Sequence, residues 1–224
     1  MNLKILNELE RVIKTSPQVL RDAFKLRQLI QATFDVTLMD TSGTLAELTD
    51  KIDEAVLAKY FGDIWQPKTK QFKYSGLKIV DEINKLQPRA VLDLGCGYNE
   101  FKNQIDNLIG VDPYNKNADI QLPILEYKSE KKFDVVIVLG SINFGSTDKI
   151  FAELEHAVSL CAEGGTMFFR VNPGMKHEPP ESEWIDFYNW DANFITNCAS
   201  YFNVQMLDMR NDSNDRMYFV WRRS

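Results

Sequence analysis

Two textures of hydrophobic patterning divide the chain. From residue 1 to about 87, apolar residues return at helical intervals and strand-like runs are scarce, beginning with Leu6, Leu9 and Ile13 on one face. "TSPQVLRDAFKLRQLI" offers Ser16 as an N-cap and Pro17 at the first helical position, with Leu20, Phe24 and Arg27 following at helical spacing. "TLAELTDKIDEAVLAKYF" opens with Thr44 and Glu47 in capping-box spacing. A last helix, about Ser75 to Leu86, carries Leu77, Val80, Ile83 and Leu86, and Pro88 ends it. The pattern predicts an N-terminal helical cap, residues 1–74, ahead of a second domain, residues 75–224.

Beyond Pro88, short apolar runs alternate with helical patterns: "AVLDL" (90–94), "NLIGVD" (107–112), "FDVVIVLG" (133–140) and "TMFFRV" (166–171). Continuously apolar, β-rich runs separated by helices predict a mostly parallel sheet covered on both faces, a doubly wound α/β fold. After the third run, Ile150, Leu154, Ala157, Val158 and Cys161 form one helical stripe, which Gly164 and Gly165 are expected to stop. "DANFITNCASYF" supplies Phe194, Ile195, Cys198 and Phe202 for a covering helix. "FNVQMLDM" and "DRMYFVW", joined by the turn residues of "RNDSN", predict an antiparallel hairpin at one sheet edge.

With 224 residues, 44% of them hydrophobic, the chain can bury one substantial core and is too apolar to be disordered. A net charge of −6 gives no broad basic footprint, which argues against strong non-specific attraction to nucleic acid or anionic membrane. Cys96, Cys161 and Cys198 are odd in number and show no CxxC spacing, so neither a disulfide framework nor a zinc site is expected. No long apolar span is present. The start, "MNLKILNELERVIK", carries charges throughout, unlike a secretory signal, and the expectation is a cytoplasmic protein.

The chemistry concentrates in "RAVLDLGCGYNEF" (89–101), where an apolar run stops at an acid and breaks into two glycines one residue apart. In an open parallel sheet ligands bind outside the carboxyl ends of the strands, and the first strand-to-helix turn lies there. Gly95 and Gly97 remove side chains from that turn, so backbone can approach a ligand. "GCGYNE" lacks the third glycine of a dinucleotide fingerprint, which argues against a pyrophosphate. Asp93 precedes the turn, and Asp112 ends the second run nineteen positions later, the spacing of an acid placed to take a ribose diol. An acid beneath the turn repels a diphosphate and suits a ligand with positive charge. The expected ligand is a nucleoside bearing a cation.

"VLDLGCGYNEF", "LIGVDP", "KFDVVIVLGSINF" and "LCAEGGTMFFRVNPG" resemble, in order and spacing, the successive motifs of class I S-adenosylmethionine-dependent methyltransferases, over roughly residues 75–224. The resemblance implies a seven-stranded sheet ending in the antiparallel hairpin, and S-adenosylmethionine as cofactor. It implies that Asp93 and the backbone of Gly95 and Gly97 face the methionine moiety and that Asp112 binds the ribose hydroxyls. Cys96 in the turn and Gly140 at the end of the third run complete the cofactor set. The sequence departs from the family at Asn99, where a third glycine is frequent, and in "FKNQIDN", about one turn short for the following helix. Asp119 in "ADIQLPILEY" stands for the acid that takes the adenine amino group, with Pro123 the other candidate for that place.

Methyl transfer from a sulfonium is an in-line displacement that needs alignment and no protein nucleophile; a hydroxyl or protonated amine acceptor also needs a base. His177 and Asn143 are the catalytic candidates, with Glu178 and Tyr74 also on the acceptor side, near "LGSINFG" (139–145) and "VNPGMKHEPPE" (171–181). Trp184, Phe187, Tyr188 and Trp190 form either a substrate wall or core. The function this implies is methyl transfer to a small-molecule or protein acceptor. Two alternatives stay open: a non-catalytic module that keeps the fold for assembly, self-associating through its N-terminal helices, and a nucleic-acid methyltransferase using Lys68, Lys70 and Lys73 of "KTKQFKY".

Overall fold

Helical spacing in residues 1–59 resolves into three α-helices, each started by a side chain that satisfies orphan backbone donors. The computed structural model describes residues 1–65, 75–174, 180–212 and 215–224. Helix α1 (Leu3–Thr15) is capped by Asn2, whose Oδ1 accepts from the N–H groups of Lys4 and Ile5 at 3.1 and 3.3 Å, and it buries Ile5, Leu9 and Val12. The expected helix from Ser16 is broken. Pro17–Arg21 forms a short 3-10 turn, and Asp22 then captures the N–H groups of Phe24 and Lys25 to start α2 (Ala23–Phe34) afresh. The restart rotates the buried stripe to Leu26, Ile30 and Phe34 and leaves Leu20 and Phe24 exposed. In α3 (Leu45–Lys59) the capping box forms as expected: Thr44 Oγ1 accepts from Glu47 N–H at 3.3 Å, and Glu47 Oε2 accepts from Thr44 N–H at 2.7 Å. Residues 180–186 join these helices, with Trp184 O accepting from Asn2 Nδ2 at 2.8 Å and the Trp184 ring edge-on to Phe34 at 4.9 Å. They belong with residues 1–65 in one compact unit, and the other described residues form a second.

The second unit is built on one sheet. Its strands are β1 (Val91–Leu94), β2 (Leu108–Val111), β3 (Phe133–Leu139), β4 (Cys161–Val171), β5 (Val204–Asp212) and β6 (Arg216–Arg223), in the order β2-β1-β3-β4-β6-β5. The first four are parallel, and β6 and β5 close the edge as the expected antiparallel hairpin. Period-two alternation divides their side chains between two cores. Leu92, Val136, Phe169 and Trp221 pack with α5 (Thr147–Leu160) and α6 (Ala192–Tyr201), whereas Val91, Ile137, Phe168 and Val220 pack with Ile79 and with Ile83 of α4 (Val80–Lys85). Helices on both faces give the α/β layering expected.

Three expectations are corrected. Among the described residues the sheet has six strands, not seven. After β2 the chain turns back within eight residues, too few for the helical crossover that a parallel strand requires, and it pairs only through a single bridge between Val111 and Ile120. The segment after the glycine turn is a chain of turns, with Lys102 N–H bonded to Asn99 O and Ile105 N–H to Phe101 O, and no helix forms there. Finally, α5 ends at Leu160, ahead of the glycines, because Cys161 turns extended and pairs with Phe133. The residues up to Gly165 absorb the register shift before Thr166 meets Val135.

Candidate functional site

The turn after β1 alternates handedness: Gly95, Gly97 and Asn99 all take positive φ, at 77°, 52° and 59°. Glycine bears this conformation without cost, and asparagine tolerates it better than most residues. Val111 O at the end of β2 accepts from both Gly95 N–H (2.7 Å) and Cys96 N–H (3.1 Å), which lashes the turn to the neighbouring strand. Asp112 then ties three segments together. Its Oδ2 accepts from Gly97 N–H at 3.0 Å, and its Oδ1 accepts from the N–H groups of Tyr114 and Asn115 at 2.8 and 2.9 Å. With two lone-pair positions per oxygen, one position on Oδ2 is left over.

Asp93 lies on β1 just before the turn, 2% exposed, and among the described residues its carboxyl accepts no hydrogen bond. Burial, with the Asp112 charge adding to it, pushes the carboxyl up to about 8. The Cys96 thiol is raised well above the ordinary thiol range by burial and by Asp93, Asp112 and Asp119 together, so all three acids converge on the turn. Asp119 is engaged at one of its two oxygens. Its Oδ2 accepts from Gly110 N–H and Lys102 Nζ, both at 2.8 Å, and from Asn99 Nδ2 at 3.4 Å. Burial opposes ionisation there, and these three donors overcome it, holding the carboxyl below its usual value.

The glycines differ in what surrounds them. A Cβ on Gly97 meets nothing within 4 Å, and one on Gly140 (φ 92°) meets only Asn143 Nδ2 at 3.9 Å, so both positions border open space. The equivalent space at Gly95 is filled by Ser141, whose Cβ lies 2.1 Å from the point a Cβ would take and whose Oγ donates to Leu94 O at 2.6 Å. Asn99 likewise covers Gly110: its Oδ1 lies 2.5 Å from a Cβ there, while its Nδ2 also donates to Asn117 O at 3.1 Å. Ser141 and the Asn99 lid escaped sequence reasoning, because they join positions far apart in the chain that no periodicity links.

Of the residues expected on the acceptor side, Asn143 is 1% exposed and acts as a strut: its Oδ1 accepts from Asn172 N–H at 2.9 Å, and its backbone O accepts from Tyr188 N–H at 2.9 Å. Its Nδ2, buried without a partner, is the atom nearest the Gly140 space. His177, Glu178, Tyr74, Lys68, Lys70 and Lys73 lie outside the described residues. The aromatic stripe is divided. Trp184 belongs to the helical unit, Phe187 packs edge-on to Phe144 at 5.6 Å, and Trp190 is core, donating from Nε1 to Ile142 O at 3.0 Å. Among the described residues no helix is long and apolar enough to cross a membrane.

No protein-family model matches the sequence, and no curated protein matches it. Solved structures do match. The 1,6-didemethyltoxoflavin-N1-methyltransferase of Burkholderia thailandensis, with bound 1,6-didemethyltoxoflavin and S-adenosylhomocysteine, aligns over 84% of this chain and 95% of its own at 14% identity and a TM-score of 0.60. Magnesium protoporphyrin IX methyltransferase (ChlM) from Synechocystis PCC 6803, with bound S-adenosylmethionine, aligns over 83% and 100% at 13% identity and a TM-score of 0.57. The N-methyltransferase NodS from Bradyrhizobium japonicum WM9, in complex with S-adenosylhomocysteine, aligns over 76% and 97% at 12% identity and a TM-score of 0.52. At these identities the likeness is one of fold, and the chain has the class I S-adenosylmethionine-dependent methyltransferase fold.

Proposed function

We propose that this protein is an S-adenosylmethionine-dependent methyltransferase that acts on a small-molecule or protein acceptor. The observation that carries the reading is the convergence of Asp93 and Asp112 on one glycine turn bordered by open space at Gly97 and Gly140. Bound S-adenosylmethionine supplies a methyl group on a sulfonium, ready for in-line displacement. Asp93, buried and neutral while no cation is near, ionises beside one and so favours a cationic ligand over a neutral one. The remaining lone-pair position on Asp112 Oδ2 takes one ribose hydroxyl, and the bare backbone at Gly97 and Gly140 gives the ligand room. Asp119 holds the edge of β2 through Oδ2, which leaves its Oδ1 to take the adenine amino group. Asn143 positions the loop after β3, and His177 is the base where an acceptor needs one. Two of the similar structures are methyltransferases of small organic molecules, which favours a small-molecule acceptor over a protein. A cytosolic setting fits the three unpaired, buried thiols.

Titration calorimetry with S-adenosylmethionine tests the reading. Binding is expected, and Asp112→Asn should weaken it about tenfold or more, the scale of a lost charge-assisted hydrogen bond. Thermal melts of the variant separate lost binding from lost folding, since Asp112 also holds three backbone N–H groups. Absence of binding at millimolar ligand sinks the cofactor reading and favours the non-catalytic module.

A further inference from the structure

β5 is the last strand of the sheet, and among the described residues nothing pairs along its outer side. Such an edge presents a row of backbone donors and acceptors, which chains normally blunt with lysine, proline or a bulge. Residues 204–212, "VQMLDMRND", contain neither lysine nor proline. The devices present are the register shift between Met206 and Asp208 and the charges of Asp208, Arg210 and Asp212; after the shift, Asp208 to Asp212 pair regularly with β6. Exposed apolar side chains gather here too. Of the five large ones exposed in the sheet unit among the described residues, two stand on this strand: Leu207 is 41% exposed and Met209 39%.

The charges on the strand are self-complementary. Asp208 and Arg210 lie on one face, opposite Val220 and Tyr218, and pair with each other. The Arg210 guanidinium is steadied over the Tyr218 ring, 4.2 Å from its centroid. In an antiparallel pair of two β5 strands with Met209 on the twofold axis, Asp208 of each faces Arg210 of the other, and the four charges make a square of alternating sign. Moving the axis to Arg210 sets Arg210 against its own mate and Asp208 against Asp212. Moving it to Asp208 sets like carboxylates together. Directly opposed like charges are unfavourable in a sheet, which disfavours these two registers against the one centred on Met209.

From this edge we infer that the protein associates with a second copy of itself by antiparallel pairing of β5 about Met209, so that one sheet runs through both copies. Size-exclusion chromatography with light scattering, over a range of loading concentrations, should give the mass of a dimer. Asp208→Arg and Arg210→Asp each fill the square with four like charges, and each alone should weaken the dimer by about tenfold or more. Mixing the two variants restores both opposite pairs across the interface, so a heterodimer should form where each variant alone stays weak. Met209→Lys, which changes no ion pair, should also disrupt the dimer by placing two ammonium groups at the axis. Melting curves of each variant report folding separately. A monomer at every concentration, a dimer that neither charge reversal weakens, or a mixture that stays monomeric overturns the inference; the second result moves the interface elsewhere, the N-terminal helices included.

Discussion

Burial keeps a proton on Asp93 at neutral pH, and that single proton has consequences for both stability and binding. Its folded value of about 8 lies above the ordinary 3.8. Below about pH 4 both folded and unfolded chains hold the proton and the full stability is present. Between pH 4 and 8 the unfolded chain has released it while the folded one retains it, so stability falls as pH rises and levels off above 8. A shift of this size corresponds to several kcal/mol, on the order of 1.4 for each unit. Asp93→Asn should therefore flatten the fall in melting temperature between pH 5 and 8 and melt higher than the native protein at pH 8. Under the proposed function, a cation beside Asp93 releases its proton. Affinity for S-adenosylmethionine should then rise from pH 6 to pH 8, by up to about tenfold per unit, and plateau beyond, while Asp93→Asn shows no such rise. Calorimetric titrations across that range in buffers of different ionisation enthalpy read the affinity and the proton together. Both acids were legible in the sequence, because strand ends and a nineteen-residue spacing point to them. That Asp93 is neutral was not, since it follows from the depth of burial and from the nearness of Asp112 in space.

The contact between the turn after β1 and the segment after β3 rests on Ser141 filling the place of a side chain at Gly95. Gly95→Ala would drive a methyl group into Ser141 at 2.1 Å and hold alanine at a φ of 77°. A loss of about 3 kcal/mol or more is expected, roughly 1 from the backbone and the rest from the clash. Ser141→Gly on its own loses the bond to Leu94 O, worth about 1 kcal/mol, yet in the Gly95→Ala background it removes the atom that clashes. The pair should be strongly non-additive in urea unfolding, the double variant being more stable than Gly95→Ala alone. Additive losses would mean the turn relaxes away from Ser141. At this scale the strands, the capping box of α3, α6 and the C-terminal hairpin could be read from periodicity and turn residues. The failures share one cause. Ser16–Pro17 competed with Asp22 for the start of α2, the glycines after α5 served a strand irregularity, and "FKNQIDN" curled into turns. In each case the local signal was real, and the outcome depended on which nearby side chain captured the backbone.

At the scale of the whole molecule, every residue assigned to the cofactor and seen in the described chain belongs to the sheet unit, while α1 to α3 hold a core of their own around Ile5, Leu9, Ile30 and Ile52. The change of hydrophobic texture near Pro88 announced both kinds of unit; that residues 180–186 return to the helical one could not be foreseen, since short, mixed-polarity segments carry no periodic signal. This division separates stability from binding in a way that can be measured. Ile52 is fully buried in α3, and Ile52→Ala should cost about 2–5 kcal/mol. Leu92 is equally buried in β1, one residue before Asp93, and Leu92→Ala should cost a similar amount. If the cofactor site is a property of the sheet unit alone, Ile52→Ala lowers the melting temperature but leaves the affinity for S-adenosylmethionine within about twofold, because lost stability in one unit reaches a ligand only through residues that touch it. Leu92→Ala should lower both, since a cavity beneath β1 loosens the strand that presents Asp93 and the glycine turn. Calorimetric titration well below the melting temperature of each variant makes the comparison. An Ile52→Ala protein that is folded but binds tenfold more weakly would show that the helical unit takes part in holding the cofactor.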